Sequence, residues 1–202
     1  MAKQVIVTGF RAFPGVDDNP SQRVVENLAN APQLLPPGSD TVLLDVAYAG
    51  IDRALGAIFA AHPAALVLTG FSRRAQGITL ETRVTSAFAP DRPDCAGVIP
   101  ECVPSQAVVR DNTCVDFDRL EAILAGEGLP CYRSVDAGAY LCNFIYRRAL
   151  ERIAEENLSA RAVFVHLPAI IGTPLALESE AAMTVEDMAR GVALVAHALA
   201  EG

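Results

Sequence analysis

The stretch SVDAGAYLCNFIYRR, residues 134–148, organises the fold that the sequence predicts. A short β-like segment, residues 131–135, runs into the turn Asp136-Ala137-Gly138 and then into an amphipathic helix that ends near Asn157. Asp136 is a candidate N-cap for this helix, and Gly138 allows the backbone to turn tightly. The pattern predicts a strand, a turn and a helix, with Cys142 in or near the first helical turn.

Cys142 has the setting expected of a nucleophilic cysteine. At a helix start, the unpaired N–H groups and the positive end of the helix dipole favour a thiolate over a thiol. Further along the chain, the apolar strand 162–165 ends in His166, and functional residues of α/β folds lie at strand ends. Buried cysteine is more often inert packing. Spacing alone therefore leaves both a catalytic Cys–His pair and a structural Cys142 open.

Composition and charge exclude several classes of partner. The 202 residues suit one domain with a large core, and no apolar run reaches the ~20 residues of a membrane-spanning helix. The net charge of −8 argues against nucleic acid and anionic membranes as partners. The pairs Arg73-Arg74 and Arg147-Arg148 are more typical of solvated faces than of binding patches. The first residues read as a core strand without signal-peptide architecture, so we expect a cytoplasmic protein.

The cysteines and histidines do not form a metal-binding pattern. The five cysteines (95, 102, 114, 131 and 142) include no C-x-x-C pair, and the three histidines (62, 166 and 197) are far apart. Disulfides are uncommon in cytoplasmic chains of this size. We therefore expect no disulfide scaffold, no metal and no cofactor.

Strand-like and helix-like segments alternate along the chain. Strands are predicted at 3–8, 41–46, 64–70 and 162–165, with a further β-like segment at 78–84. Helices are predicted from Asn19-Pro20-Ser21 to about Leu28, at 51–61, at 117–124 after an Asp116 cap, and from a Thr184 cap to Leu199. This alternation, with glycine at strand ends, indicates a single α/β domain over residues 1–202 with helices on both faces of the sheet.

Three features allow more than one interpretation. Phe10 and Phe13, in a Gly/Pro-rich loop after the first strand, form either a hydrophobic plug over the sheet end or an apolar wall for a small ligand. Glu81 lies in a strand, where a glutamate usually points to water, although its polar face could line a cleft. The long irregular segment 87–104 is typical of a lid or an interface.

Five motifs spread over the chain resemble those of the pyroglutamyl peptidase I (pyrrolidone-carboxylate peptidase) family of cysteine peptidases. They are Val7-Thr8-Gly9-Phe10-x-x-Phe13 with Asn19-Pro20-Ser21, Ile78-x-x-Glu81, Arg92-Pro93-Asp94-x-x-Gly97-x-x-Pro100, Asp136-Ala137-Gly138-x-Tyr140-Leu141-Cys142-Asn143, and Val165-His166-Leu167-Pro168. The block around Cys142 is long and specific, and the N-terminal block is nearly as specific.

The resemblance implies a Cys142–His166–Glu81 triad in a mixed, mostly parallel αβα sandwich. It further implies removal of an N-terminal pyroglutamyl (5-oxoproline) residue from peptides, a cytoplasmic homotetramer and no cofactor. The substrate-binding residues that we expect are Phe10 and Phe13 as walls of the pocket, with Asn19, Gly70, Phe71 and Tyr140 around it. Arg92 is a candidate for oxyanion stabilisation.

The sequence departs from the family pattern at three places. After Gly70 the family usually has Gln and a Gly-Gly-Arg-like turn, where this chain has Phe71-Ser72-Arg73-Arg74. Thr82 stands where an Arg usually follows the Glu. Asp91 stands two positions before the Pro-Asp pair, where an Arg is common. These departures concern the polarity of the pocket and the role of Arg92, whereas the triad residues are all present.

Two other functions are compatible with parts of the sequence. A non-catalytic or re-purposed relative that binds a small ligand or a partner in the same pocket would explain the altered 71–74 turn. A phosphorylase on a similar sandwich is disfavoured, because the chain has no Gly-rich phosphate loop followed by a basic residue and is acidic overall.

Overall fold

A mixed, mostly parallel β-sheet lies at the centre of the chain. The computed structural model describes residues 4–89, 91–100 and 108–201. The strands are β1 (Val5–Phe10), β2 (Asp40–Leu44), β3 (Ala65–Phe71), β4 (Ile78–Glu81), β5 (Arg83–Thr85), β6 (Val109–Asp111), β7 (Cys131–Ser134), β8 (Arg161–Leu167), β9 (Ala169–Ile170) and β10 (Ala182–Met183). The helices are α1 (Pro20–Asn30), α2 (Tyr48–Ala60), α3 (Phe117–Gly126), α4 (Leu141–Glu155) and α5 (Val185–Glu201), with 3₁₀ turns at Pro32–Leu34 and Pro174–Glu178.

The order of the strands brings distant parts of the chain together. In the described residues, the main sheet has the order β2-β1-β3-β8-β4-β7, and two small sheets pair β9 with β10 and β5 with β6. β2, β1, β3 and β8 run parallel, β4 runs antiparallel to β8, and β7 runs parallel to β4. The reversal at β4 places Thr79 opposite His166, so that the start of β4 adjoins the end of β8.

Alternate side chains of the central strands pack into two hydrophobic cores. Val163 and Val165 of β8 pack with α1, α3 and α5, whereas Ala162 and Phe164 pack with α2 and α4. All four side chains are fully buried. Strands that are covered on both faces are apolar throughout, which is why β8 reads as a continuous apolar run. The helices on both faces confirm the predicted α/β architecture.

Polar residues at the predicted positions start three of the helices. The side chain of Asn19 accepts a hydrogen bond from the Ser21 N–H at the start of α1. Asp116 accepts from the Arg119 N–H at the start of α3, and the Thr184 hydroxyl accepts from the Asp187 N–H at the start of α5. These caps satisfy backbone donors that a helix leaves unpaired at its N-terminus.

The predicted cap of α4 is wrong. The N-cap of this helix is Tyr140, which makes no side-chain capping bond. Asp136 instead accepts from the Gly138 N–H at 2.9 Å. A short acidic side chain readily bonds the backbone two residues on, and this local turn competes with a cap. Gly138 has a φ of +79°, so the prediction that this position needs glycine is confirmed.

The segment predicted as one strand at 78–84 is divided. β4 ends at Glu81, and Thr82 binds the Ser134 carbonyl through both its N–H and its hydroxyl, at 2.8 and 2.9 Å. β5 then pairs with β6, a strand that the sequence did not predict. Positions 87–89 and 91–100 have no helix or strand, as expected for the irregular segment 87–104. Positions 90 and 101–104, with Cys102, lie outside the described residues.

The helices of the described ranges are too short or too polar to cross a lipid bilayer.

Gly9 is a position at which any side chain would disturb the packing of β1 on α1. A Cβ atom there would lie 2.5 Å from the Ser21 carbonyl oxygen, which is backbone and moves little. We expect Gly9→Ala to lower the free energy of unfolding by about 2–3 kcal/mol, measured by urea denaturation. The control is Gly50→Ala in α2, where a Cβ meets nothing within 4 Å. It should leave stability unchanged or raise it by up to about 1 kcal/mol. Equal stabilities for the two variants would contradict this packing.

Candidate active site

The end of β8, the end of β4 and the start of α4 meet on the face of the sheet that α2 and α4 cover. They bring together His166, Glu81 and Cys142. His166 pairs in register with Gly70 of β3 on one side and with Thr79 of β4 on the other. The sheet therefore fixes the imidazole between two strands.

Glu81 and His166 form a buried, hydrogen-bonded pair. Glu81 Oε1 lies 2.7 Å from His166 Nδ1, and the two residues are only 2% and 7% exposed. Of the two interpretations of Glu81, the structure favours the cleft over solvent, because this contact holds its carboxylate inside the protein. Glu81 Oε2 has no hydrogen-bond partner among the described residues. Since Nδ1 is engaged by the carboxylate, Nε2 is the nitrogen left for other contacts.

A small polar network holds the backbone of Glu81. The Tyr146 hydroxyl donates to the Glu81 carbonyl at 2.9 Å, and the Asn112 amide donates to the Tyr146 oxygen at 2.6 Å and to the Ala162 carbonyl at 2.8 Å. Tyr146 is fully buried. The network ties α4 and β8 to the end of β4. No local pattern in the sequence indicates this network, since it joins segments that are far apart along the chain.

The imidazole of His166 is held in its protonated form. Burial lowers its pKa, but the hydrogen bond to Cys142, the charge of Cys142, and then the hydrogen bond and charge of Glu81 outweigh burial and raise the pKa to about 9. An imidazole held between a cysteine sulfur and a carboxylate is the arrangement that activates a nucleophilic cysteine. The fold thus brings the predicted pair, Cys142 and His166, together at one cavity.

Cys142 is the second residue of α4 and is half-buried. The first N–H groups of the helix have no intrahelical partners, so their dipoles face the sulfur and its surroundings. Gly70 makes room for the thiol, because a Cβ there would lie 2.8 Å from both Cys142 Sγ and Phe164 Cζ. Cys142 can therefore occupy this position only because residue 70 has no side chain.

A cavity of about 310 Å³ opens beside the thiol and the imidazole. Besides Cys142 and His166, six of the seven residues predicted to bind the substrate or its oxyanion line it. They are Phe10, Phe13, Asn19, Phe71, Tyr140 and Arg92. Gly70 does not line the cavity and lies instead behind Cys142. Phe10 and Phe13 thus face a cavity, which favours a ligand wall over a plug.

Asn19 and Arg92 are already engaged by other groups. The side-chain oxygen of Asn19, Oδ1, accepts from the N–H and the hydroxyl of Ser21. The side-chain amide nitrogen donates to the Arg11 carbonyl at 3.0 Å. Asn19 therefore shapes the cavity wall by holding the loop after β1. The guanidinium of Arg92 stacks on the Tyr140 ring, with its Cζ 4.1 Å from the ring centroid.

Asp94 anchors the loop that carries Arg92. This buried carboxylate accepts N–H bonds from Tyr48 at 2.7 Å, Ala96 at 2.8 Å and Val98 at 2.9 Å. These three bonds lower its pKa against the opposing effect of burial. The Tyr140 hydroxyl donates to the Pro93 carbonyl at 3.0 Å, which joins the loop to the start of α4. Asp94 belongs to one of the motifs in the sequence, but this anchoring role was not predicted.

Several lining residues were missed from the sequence. They are Val16, Val46, Ser72, Arg73, Arg74 and Asp136. Val46 follows β2 and the 72–74 segment follows β3, so the strand-end rule could have identified them. Val16 is brought in by its backbone pairing with Phe13, for which the sequence carries no signal.

Comparisons with known proteins agree with this geometry. The family model for pyroglutamyl peptidase matches residues 3–201. A pyrrolidone-carboxylate peptidase from Thermococcus kodakarensis is 29% identical over 170 residues, which cover 82% of this chain and 81% of that protein. Pyrrolidone carboxyl peptidase from Fervidobacterium islandicum has a similar structure, with a TM-score of 0.83, 27% identity and 96% coverage of both chains. Pyroglutamyl peptidase I from Bacillus amyloliquefaciens shares the fold, with a TM-score of 0.85 at 22% identity, over 100% of this chain and 97% of that one.

Gly70→Ala should displace the thiol. The added methyl would overlap Sγ and the Phe164 ring, so Cys142 would rotate away from His166. We expect alkylation of Cys142 by iodoacetamide at neutral pH to slow by about tenfold or more, since a misplaced group loses its activating partner. Peptide mass spectrometry measures the rate, and the exposed Cys95 serves as an internal control. An unchanged Cys142 rate in a folded variant would show that Gly70 does not position the thiol.

The protonation of His166 gives a pH-dependent prediction. Its resonance in the NMR titration should give a pKa of about 9, and Cys142→Ser and Glu81→Gln should each lower it. Because this value lies above the usual 6.5, the imidazolium stabilises the fold fully below about pH 6.5, and that contribution is lost as the pH rises through about 9. A wild-type imidazole that titrates near its usual value would refute the ionised pair.

Proposed function

Because the chain belongs to the pyroglutamyl peptidase family, we propose that it is a cysteine peptidase that removes an N-terminal pyroglutamyl residue from peptides. The observation that carries the proposal is the buried Glu81–His166 bond, at 2.7 Å, with Cys142 and the same imidazole lining one aromatic-walled cavity. A carboxylate that orients an imidazole, with a nucleophile beside that imidazole, is the arrangement that acyl transfer requires.

The cavity suits the pyroglutamyl ring. Pyroglutamate is an uncharged five-membered lactam, which needs a flat apolar slot and hydrogen bonds to its N–H and C=O. Phe10, Phe13 and Phe71 supply apolar walls, and the backbone groups of Phe71 are candidates for the bonds. A site that pairs a buried lactam rejects residues that lack it, because its own polar groups would be left unpaired.

Acylation begins with the thiolate of Cys142. Sγ attacks the pyroglutamyl carbonyl carbon, the S–C bond forms, and the carbonyl π electrons move to the oxygen. When the tetrahedral intermediate collapses, the C–N bond breaks and the Nε2 proton of His166 passes to the leaving amine. The products of this half-reaction are a shortened peptide and a pyroglutamyl thioester on Cys142.

Deacylation reverses the roles of the groups. The neutral imidazole of His166 takes a proton from water, and the resulting nucleophile attacks the thioester carbonyl. The C–S bond then breaks, pyroglutamate leaves, and the thiolate–imidazolium pair is restored. Throughout the cycle, Glu81 orients the ring and stabilises its cationic form.

The developing oxyanion needs donors near the carbonyl. The N–H groups at the start of α4, around residues 140–142, are the natural donors, and loss of one such donor typically costs ~10²–10³ in rate. Arg92 is a second candidate, since it lines the cavity and its guanidinium stacks on the ring of Tyr140, the N-cap of α4.

We extend the proposal to location and assembly. We propose a cytoplasmic homotetramer that needs no cofactor and acts on free peptides. Leu177 and Ile171, which are 91% and 59% exposed, are apolar side chains that a subunit interface would cover. Size-exclusion chromatography with light scattering tests the assembly, and a monomer at micromolar concentration would contradict it.

The alternative function is that of a non-catalytic relative, which would bind a small ligand or a partner in this cavity without hydrolysing it. Its basis was the altered turn at 71–74. That turn lines the cavity, but the Glu81–His166 bond and the Cys142 contact are intact beside it. No observation in the structure favours the binding function over the peptidase.

Substitution of the three site residues tests the proposed function. Cys142→Ser and His166→Ala should reduce the hydrolysis of a chromogenic pyroglutamyl amide by at least about 10³-fold, and Glu81→Gln by roughly 10²–10⁴-fold, because each removes a member of one catalytic unit. Circular dichroism should show a folded protein in each case.

The matched control is Cys131→Ser. Burial and the nearby Glu121 raise the pKa of the Cys131 thiol to about 11, so this cysteine carries little thiolate at neutral pH. The variant should retain activity. The proline analogue of the substrate, which lacks the lactam carbonyl, should not be cleaved. Near-normal activity of Cys142→Ser would refute the assignment of the nucleophile.

A further inference from the structure

A second cavity, of about 290 Å³, adjoins the first on the far side of His166. It lies over β4 and β7, and its lining includes Gln76, Thr79, Tyr132 and Ser134. Four residues line both cavities, namely Ser72, Arg74, Asp136 and His166. The two cavities are therefore neighbours, and the His166 imidazole and the exposed Arg74–Asp136 ion pair lie on their common border.

The direction of proton transfer places the scissile bond in the first cavity, which Cys142 and His166 both line. Glu81 engages Nδ1 of His166, so the proton for the leaving amine comes from Nε2. The leaving nitrogen must therefore pass beside the imidazole, while the pyroglutamyl ring occupies the aromatic cavity. From there, the rest of the peptide can extend across the border that Ser72, Arg74 and Asp136 share with the second cavity.

The chemistry of the second cavity differs from that of the first. Among its described lining residues, all but Ala75 carry a charged, amide, hydroxyl or imidazole group in the side chain. The two guanidiniums in the lining are not equivalent. Arg133 is already neutralised by Asp118 and Glu121 of α3. Arg74 has a single carboxylate, Asp136 at 3.6 Å, and both side chains are well exposed.

An exposed pair at that distance is weak, so Arg74 can exchange Asp136 for a carboxylate of the substrate at little cost. The other acid in the lining, Glu81, is compensated by the His166 imidazolium. A planar guanidinium also binds a carboxylate through two parallel hydrogen bonds, which an amide does not match.

We propose that the second cavity binds the segment that follows pyroglutamate and that Arg74 selects a carboxylate in that segment. The carboxylate is either the side chain of an acidic first residue or the C-terminal group of a short peptide. This inference rests on the proposed function and defines the substrate class as acidic or very short pyroglutamyl peptides.

The test uses two matched pairs of substrates. The peptides pyroglutamyl-Glu-Ala-amide and pyroglutamyl-Gln-Ala-amide differ in a side-chain carboxylate, and pyroglutamyl-Ala and its amide differ in a terminal one. In at least one pair, we expect kcat/KM to be about two- to five-fold higher for the peptide that carries the carboxylate than for its neutral match. The difference should lie chiefly in a lower KM, and it is small because exposed ion pairs contribute little free energy. The preference should shrink as salt is added.

Variants assign the effect to Arg74. Arg74→Gln should abolish the preference, whereas Arg110→Gln, which removes the same charge from an exposed site on β6, should retain it. This inference is wrong if neither pair of substrates shows a preference, or if the preference survives Arg74→Gln. In either case, hydrolysis of the neutral pyroglutamyl amide would still support the proposed peptidase function. If the wild-type protein cleaves none of these substrates, the proposed function and this inference both fail.

Discussion

The contact between the Glu81 carboxylate and the His166 imidazole is the constraint on which the rest of the structure depends. Two ionisable groups that are 2% and 7% exposed are stable inside a protein only as a hydrogen-bonded pair. Loss of one partner of such a pair typically costs about 3–5 kcal/mol, because it leaves a buried charge uncompensated. The fold must therefore hold β4 and β8 in one register.

The mixed sheet meets this requirement. β4 runs antiparallel to β8, which places Glu81 opposite Phe164 and on the same face as His166. Side chains that are diagonal neighbours across two strands are within reach of each other. The Tyr146–Asn112 network then fixes the end of β4, and Gly70 leaves room for α4 to present Cys142 to the imidazole. The site is thus a consequence of strand order and of one missing side chain.

Much of this arrangement could be predicted from the sequence, because local patterns carry it. Apolar runs predicted the buried strands, Asn19, Asp116 and Thr184 start the predicted helices, and the motif around Cys142 indicated a strand, a turn and a helix. The rest depends on contacts between distant segments. Glu81 meets a partner 85 residues away, and no local rule distinguishes it from a solvated glutamate.

The errors have the same physical origin. Asp136 satisfies a turn instead of a helix start, since both use the same acceptor chemistry. β6 has three exposed residues and no periodicity, so only its pairing with β5 defines it as a strand. The second cavity forms where residues 72–76 meet residues 132–134, and neither segment alone has the pattern of a binding site.

Covalent labelling tests the central claim, that Cys142 is the nucleophile beside a pyroglutamyl-shaped pocket. Pyroglutamyl chloromethyl ketone places an alkylating carbon where the scissile bond would lie, so that a thiolate there forms a thioether and releases chloride. We expect peptide mass spectrometry to find the label on Cys142 and on none of the other four cysteines, at a rate that free pyroglutamate slows. A label on another residue, with activity lost in proportion to it, would contradict the account.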